Sequence, residues 1–241
     1  MSMREVALTD RGVAAEVLDA LAHTVVMLQM PTVFVLLAPP TAQGVAALNR
    51  TKTRLPRKNY GTALGSLANF YRMATRGAIP TELDSVEGLS RLSGAFIRMR
   101  VAPASFESPL VRGGTHQGLL IDGPCRDLFT QIEAGLAHLS EPALTGGHHF
   151  SAPLCTSANI SGDPDGSITQ WDRAYAFGVD REVPLVVRSG VNSERSGSFP
   201  IFWLQHDRIQ IPRPGPGVEE IRARLPQRLF GQGLVETGSR N

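Results

Sequence analysis

The chain has 241 residues and a mass of 26.0 kDa, with 42% apolar and 19% charged residues, enough apolar material to bury a core. Its formal net charge of +2 argues against a general nucleic-acid binder and leaves room for a local basic cleft. Cys125 and Cys155, the two cysteines, lack CxxC spacing, which excludes a disulfide framework and a cysteine-rich zinc site.

Residues 10–22 carry Val13, Val17, Leu18 and Leu21 at helical spacing and form the first expected helix. Residues 25–29 and 33–38 are β-branched and apolar, two short extended segments interrupted by Pro31-Thr32. A helix is expected over 41–50 with Thr41 as its N-cap. The polar loop over 51–59 holds Lys52 and Lys58, the only lysines among 24 basic residues. Leu64, Leu67, Phe70, Tyr71 and Met73 predict a helix over 61–75. Residues 96–101 alternate as in a half-buried strand. A short strand over 119–121, an amphipathic helix over 126–139 and a strand over 152–156 follow, the last running into Ser157-Ala158-Asn159. Ser167-Ile168-Thr169-Gln170 has the form of a capping box and predicts a helix through Ala176. Strands over 184–188, 199–204 and 208–211 and a helix over 218–225 complete the pattern. No repeat or linker divides the chain, so one α/β domain over 1–230 is expected, with a flexible Gly-rich tail over 231–241. The elements lack a strict βαβ rhythm, which predicts a mixed sheet. The first ten residues carry Arg4, Glu5 and Asp10 and no apolar segment, and no stretch reaches the about 20 apolar residues that span a bilayer. A cytoplasmic protein without membrane partners is expected.

Common catalytic signatures are missing: there is no GxxxxGK[ST], no GxSxG and no HExxH. His148-His149 are sequence neighbours that point to opposite sides of an extended chain, so a turn at Gly146-Gly147 is the reading and no protein-held metal is expected. Lys52-Thr53-Arg54 is more informative. In an extended segment its two cations share a side and can face one anion, a compact ammonium beside a planar fork. A solvated basic loop is the alternative for the tripeptide taken alone. Thr156, Ser157 and Asn159 stand at a strand end, where hydroxyl and amide groups can bond phosphate, ribose or an adenine edge, with Gly162 closing the turn.

Lys52-Thr53-Arg54 followed about a hundred residues later by Thr156-Ser157-Ala158-Asn159-Ile160-Ser161-Gly162 resembles the YrdC-like threonylcarbamoyl-AMP synthase family. Pro31-Thr32 resembles the opening of a Pro-Thr-acid-Thr segment in that family, and Gly197-Ser198 and Arg213-Pro214-Gly215 resemble two late elements. The resemblance extends from about Val13 to about Leu225. It implies a twisted mixed sheet with helices around a basic central cavity. It also implies a reaction joining L-threonine, bicarbonate and ATP, brought with Mg2+, into threonylcarbamoyl-adenylate and pyrophosphate. The carbamoyl group then passes to an acceptor, an RNA or a partner enzyme. By this resemblance Lys52 and Arg54 neutralise the reacting anions, Thr156, Ser157, Asn159, Ser198 and Arg213 hold the nucleotide, and Thr32 and Thr62 face the small substrate. The chemistry fits, since a carbamate attacking an α-phosphate needs positioning and charge neutralisation more than a covalent nucleophile.

The chain also departs from the family. Residues 33–37 read Val-Phe-Val-Leu-Leu in place of acid, Thr, Tyr and Gly, which predicts a reshaped, more apolar small-substrate pocket around Leu36 and Leu37. Asp122-Gly123-Pro124 stands where Arg-x-Pro is usual, and Thr62 where the family carries His. Three readings follow: a threonylcarbamoyl-adenylate synthase, a specialised relative acting on another carbamate or acceptor, and a non-catalytic nucleotide- or RNA-binding module.

Overall fold

A computed structural model describes residues 3–53, 58–191 and 195–231. Ten strands build one sheet: β1 (Arg4–Ala7), β2 (Val26–Gln29), β3 (Phe34–Ala38), β4 (Gly61–Ala63), β5 (Ala95–Arg100), β6 (Thr115–Leu120), β7 (Leu154–Ser157), β8 (Leu185–Arg188), β9 (Ile201–Leu204) and β10 (Ile209–Arg213). Their order is β1-β8-β2-β3-β7-β4-β6-β5-β9-β10. The pairs β1–β8, β2–β8, β4–β6 and β5–β9 are parallel and the remaining neighbours antiparallel. The helices that flank it are α1 (Val13–Leu21), α2 (Ala42–Lys52), α3 (Leu67–Arg72), α4 (Val86–Ser90), α5 (Pro124–Gly135), α6 (Trp171–Asp180) and α7 (Val218–Ala223). The mixed α/β sheet expected from the sequence is the one observed.

Strand alternation divides the core. In β3, Phe34, Leu36 and Ala38 enter one apolar cluster with Val45 and Leu48 of α2. Val35 and Leu37 enter the other with Val17 and Leu21 of α1 and Leu128 and Ile132 of α5. Every residue of β3 is buried, as a central strand covered on both faces requires. Helices α1 and α5 pack closely because position 135 is glycine; a Cβ there would come within 2.5 Å of Leu18 Cδ1. Beyond their cover, the same sheet face continues into an open basin.

Several expected elements shift, each for a tertiary reason. The helix expected over 61–75 is strand β4 followed by α3. Gly61 and Thr62 pair with Cys155 and Leu154 of β7, and the Ser66 hydroxyl accepts Asn69 N–H (3.2 Å) to start the helix only afterwards. Glu133 of α5 supports that start, accepting the N–H groups of Gly65 and Ser66 at 3.0 and 2.9 Å. The capping box at 167–170 is unused: α6 opens at Trp171 with no side-chain cap. Ile168 instead accepts from Phe34 N–H and donates to the Ala158 carbonyl, so the segment runs extended beside β3. The amphipathic helix opens at Pro124 and ends at Gly135, with a separate 3-10 turn over Ala137–Leu139. Thr41 caps α2 as expected, accepting Gly44 N–H at 3.0 Å. No helix among the described residues is long and apolar enough to cross a membrane.

Candidate functional site

The basin has a volume of about 370 Å3. Its floor is the uncovered sheet face, where Gly61 of β4 lies under the Phe96 ring of β5; a Cβ at position 61 would stand 2.6 Å from Phe96 Cε1. One wall is the loop after β7. Five cationic side chains line the basin, Lys52, Lys58, Arg98, Arg112 and Arg213, and no Asp or Glu does so among the described residues. Such a surface is built for an anion.

Lys52, the last residue of α2, is only 1% exposed. Its Nζ donates to the Ser157 carbonyl, to the Asn159 carbonyl at 2.8 Å and to Asn159 Oδ1 at 2.8 Å. The Ser157 hydroxyl also donates to Asn159 Oδ1, at 2.9 Å. A buried ammonium thus gathers the loop around itself. Three further bonds hold the loop in place: Ser161 N–H to the Lys52 carbonyl at 3.0 Å, Ala158 N–H to Phe34 and Ile168 N–H to Ala158. Gly162 turns it at a φ of 88°. Thr53 closes α2 in the left-handed region, at φ 48°. Arg54 lies outside the described residues.

The structure brings Lys52, Thr156, Ser157, Asn159, Ser198 and Arg213 to one basin. Arg213 donates from Nε and Nη2 to the Phe199 carbonyl at 3.1 and 2.8 Å, and its guanidinium stands 5.7 Å from the Phe96 ring centroid. Burial lowers its pKa from the usual arginine value, with the Cys155 side chain acting the other way. The Ser198 and Ser167 hydroxyls share a bond of 2.6 Å, which ties the 198–199 wall to the segment before α6. Cys155 also lines the basin, and burial pushes its thiol up to about 12, against the pull of Lys52 and Arg213. It is a neutral wall group at physiological pH and not a thiolate nucleophile.

Thr62 and Thr32 lie elsewhere. Thr62 faces the opposite side of the sheet, fully buried, its hydroxyl 3.0 Å from His116 Nε2. His116 Nδ1 is 2.8 Å from the Leu110 carbonyl, an obligate acceptor, so Nδ1 carries the proton and Nε2 accepts from Thr62. Burial lowers the His116 pKa to about 4, and the ring is neutral. Thr32 lines a neighbouring cavity with Ser93, Arg195 and Glu220, separated from the basin by Phe199. Leu36 and Leu37 are wholly buried in the two cores; the residues of this segment that reach the basin are Val33 and Val35. The reason is depth: Leu37 shares a face with Val35 but lies under α1 and α5. Asp122 is exposed, 3.3 Å from Arg126, and does not line the basin. His148 bonds the Val101 carbonyl at 2.9 Å within the turn at Gly146-Gly147. Among the described residues no group of three His, Cys, Asp or Glu could hold a metal.

Sequence reasoning missed Arg98 and Arg112 altogether and gave Lys58 no role beyond its place in a polar loop. Lys58 is exposed but borders the basin. For Arg98 a signal existed. An arginine sharing the strand face of Phe96, in a segment otherwise alternating toward a core, is a charge that the fold must place in a cavity.

No family model matches the chain, and no curated protein matches it. Solved structures do. P. abyssi Sua5 complexed with L-threonine aligns at a TM-score of 0.64 with 16% identity, over 98% of this chain and 66% of that one. A substituted form of P. abyssi Sua5 aligns at 0.62 with 17% identity, over 92% and 63%. E. coli YciO aligns at 0.61 with 10% identity, over 90% and 97%. The fold is therefore the YrdC-like one of these proteins, and the chain spans about two thirds of the length of the Sua5 chains.

Proposed function

We propose that the chain is an ATP-dependent nucleotidyltransferase that converts a carbamate to a carbamoyl-adenylate, with L-threonylcarbamoyl-AMP from L-threonine, bicarbonate and ATP as the first product to test. The observation that carries this reading is a basin lined by five cations and by no acid among the described residues, with the Ser157–Asn159 loop as one wall, on a YrdC-like sheet. In the reaction a carbamate oxygen attacks the α-phosphorus of ATP, the bond to the bridging oxygen breaks, and pyrophosphate leaves. Both partners are anions, so their approach depends on the positive field of Lys52, Arg213 and their neighbours. Arg54, two residues after Lys52 in the sequence, is assigned to the same role on the family resemblance alone. The Ser157 and Asn159 side chains and the Thr156 and Ser198 hydroxyls supply hydrogen bonds that orient the nucleotide. Mg2+ enters on the triphosphate as part of the substrate, since the basin lining offers it no carboxylate among the described residues.

A second reading, a specialised relative acting on a different carbamate, is favoured by Val33 and Val35 in the basin wall and by the withdrawal of Thr62 to the far side of the sheet. Pyrophosphate release with bicarbonate and each proteinogenic amino acid, with the adenylate weighed by mass spectrometry, separates the two. Release driven by threonine alone supports the first reading, and release with other amino acids the second. No adenylate with any of them removes both and leaves a binding module. The carbamoyl acceptor, an RNA or a partner enzyme, acts after this step.

A further inference from the structure

The basin has a second cationic end, on β5, three strands from β7, and in the turn that leads into β6. Arg98 sits in β5 on the basin side, next to Phe96, while Ile97 and Met99 enter the core. Its Nε donates to the Thr115 hydroxyl at 2.8 Å, and its guanidinium lies 4.9 Å from the Trp203 ring centroid. The Thr115 hydroxyl in turn donates to the Arg112 carbonyl at 2.7 Å, and the backbones of Arg112 and Thr115 exchange bonds of 2.9 and 3.0 Å. One threonine therefore holds the Arg98 side chain and the Arg112 backbone, and both arginines line the basin. The terminal nitrogens of Arg98 have no hydrogen-bond partner among the described residues. Burial of Arg98, and after it the nearby charge of Arg112, lower the pKa of Arg98. Two arginines lining a basin to which no Asp or Glu contributes among the described residues are stabilised by an anion that bonds both guanidinium groups.

We propose that Arg98 and Arg112 form a second oxyanion subsite of the basin, so that its ligand carries two anionic groups, one at the Lys52–Ser157–Asn159 loop and one here. From β7 to β5 there are three inter-strand steps, roughly 14 Å, which asks for an elongated ligand. This rests on the proposed function only in taking the basin as the substrate site. Two sources supply the second anion: the distal phosphates of the nucleotide, or a carboxylate on the co-substrate.

Calorimetric titrations of the whole chain with pyrophosphate, L-aspartate and AMP test the proposal, in the wild type and in the Arg98→Gln and Arg112→Gln variants. The expected result is that pyrophosphate or L-aspartate binds the wild type and weakens tenfold or more in each variant, while AMP affinity changes less than twofold. Which probe weakens identifies the source. Arg112 is exposed, so Arg112→Gln keeps the test valid if Arg98→Gln does not fold. Undiminished binding of both probes to the variants, or binding of neither to the wild type, overturns the subsite. Pyrophosphate binding that depends on Arg98 and Arg112, in a wild type that binds no AMP, would instead overturn the nucleotide reading and leave the subsite standing.

Discussion

Lys52 and Lys58 are six positions apart and have different surroundings. Lys52 is buried with its ammonium directed at three acceptors of one loop; Lys58 is exposed at the basin edge. Lys52→Ala leaves those acceptors in a part-buried place without their cation and is expected to cost about 3 kcal/mol of stability and to abolish measurable ATP binding. Lys52→Arg restores only part of this, because a planar fork cannot meet acceptors converging on one point. Lys58→Ala should stay within about 0.5 kcal/mol of wild-type stability, with ATP affinity lowered modestly and in a salt-dependent way. Urea denaturation and ATP titration of the three variants check this, and equal stability losses for the two alanine variants would contradict it. His116 gives a pH prediction. Its folded pKa of about 4 lies below the ordinary 6.5, so the unfolded chain binds its proton first as pH falls. Its stabilising contribution is full above pH 6.5 and declines from there down to about 4, by up to roughly 3 kcal/mol. Urea midpoints across that range should fall more steeply in the wild type than in His116→Gln; parallel profiles would rule this out.

At the scale of elements, β4 shows what a helical pattern hides. Leu64, Leu67, Phe70 and Met73 have helical spacing, yet the helix starts only after Ser66, because Gly61–Ala63 are taken by pairing with β6 and β7. Sequence spacing reports local preference, and sheet partners about fifty and ninety residues away are invisible to it. The same holds for Ser167-Ile168-Thr169-Gln170, whose backbone goes to Phe34 and Ala158 in place of a helix start. Strand β4 also forms the floor of the basin. Gly61→Ala puts a methyl 2.6 Å from Phe96 Cε1 and 3.1 Å from the Gln117 carbonyl. It is expected to destabilise by ~1–3 kcal/mol and to weaken ATP binding by displacing the Phe96 ring that Arg213 overlies. Thermal denaturation and ATP titration read the two effects; wild-type values in both would show that the ring has room to move.

At the scale of the molecule, the mixed sheet was legible from short apolar runs without βαβ rhythm, and the basin's loop from Thr156-Ser157-Ala158-Asn159. The cations Arg98, on β5, and Arg112, in the turn before β6, were not, because residues that share the basin with them, among them Lys52, Gly61, Cys155 and Arg213, are distant in sequence. Thr32 and Thr62 were proposed from motif position alone, and motif position does not say which face of a sheet a side chain takes. The central claim is that the loop after β7 and the cations around it bind a nucleotide. Calorimetric titration of ATP into the wild type and into Asn159→Ala tests it most directly. Asn159 supplies two of the acceptors that hold Lys52, and its amide faces the basin. Saturable ATP binding by the wild type, weakened by ~1–3 kcal/mol in a folded Asn159→Ala variant, is the result expected. Unchanged affinity in that variant, or no binding by the wild type, would contradict the account.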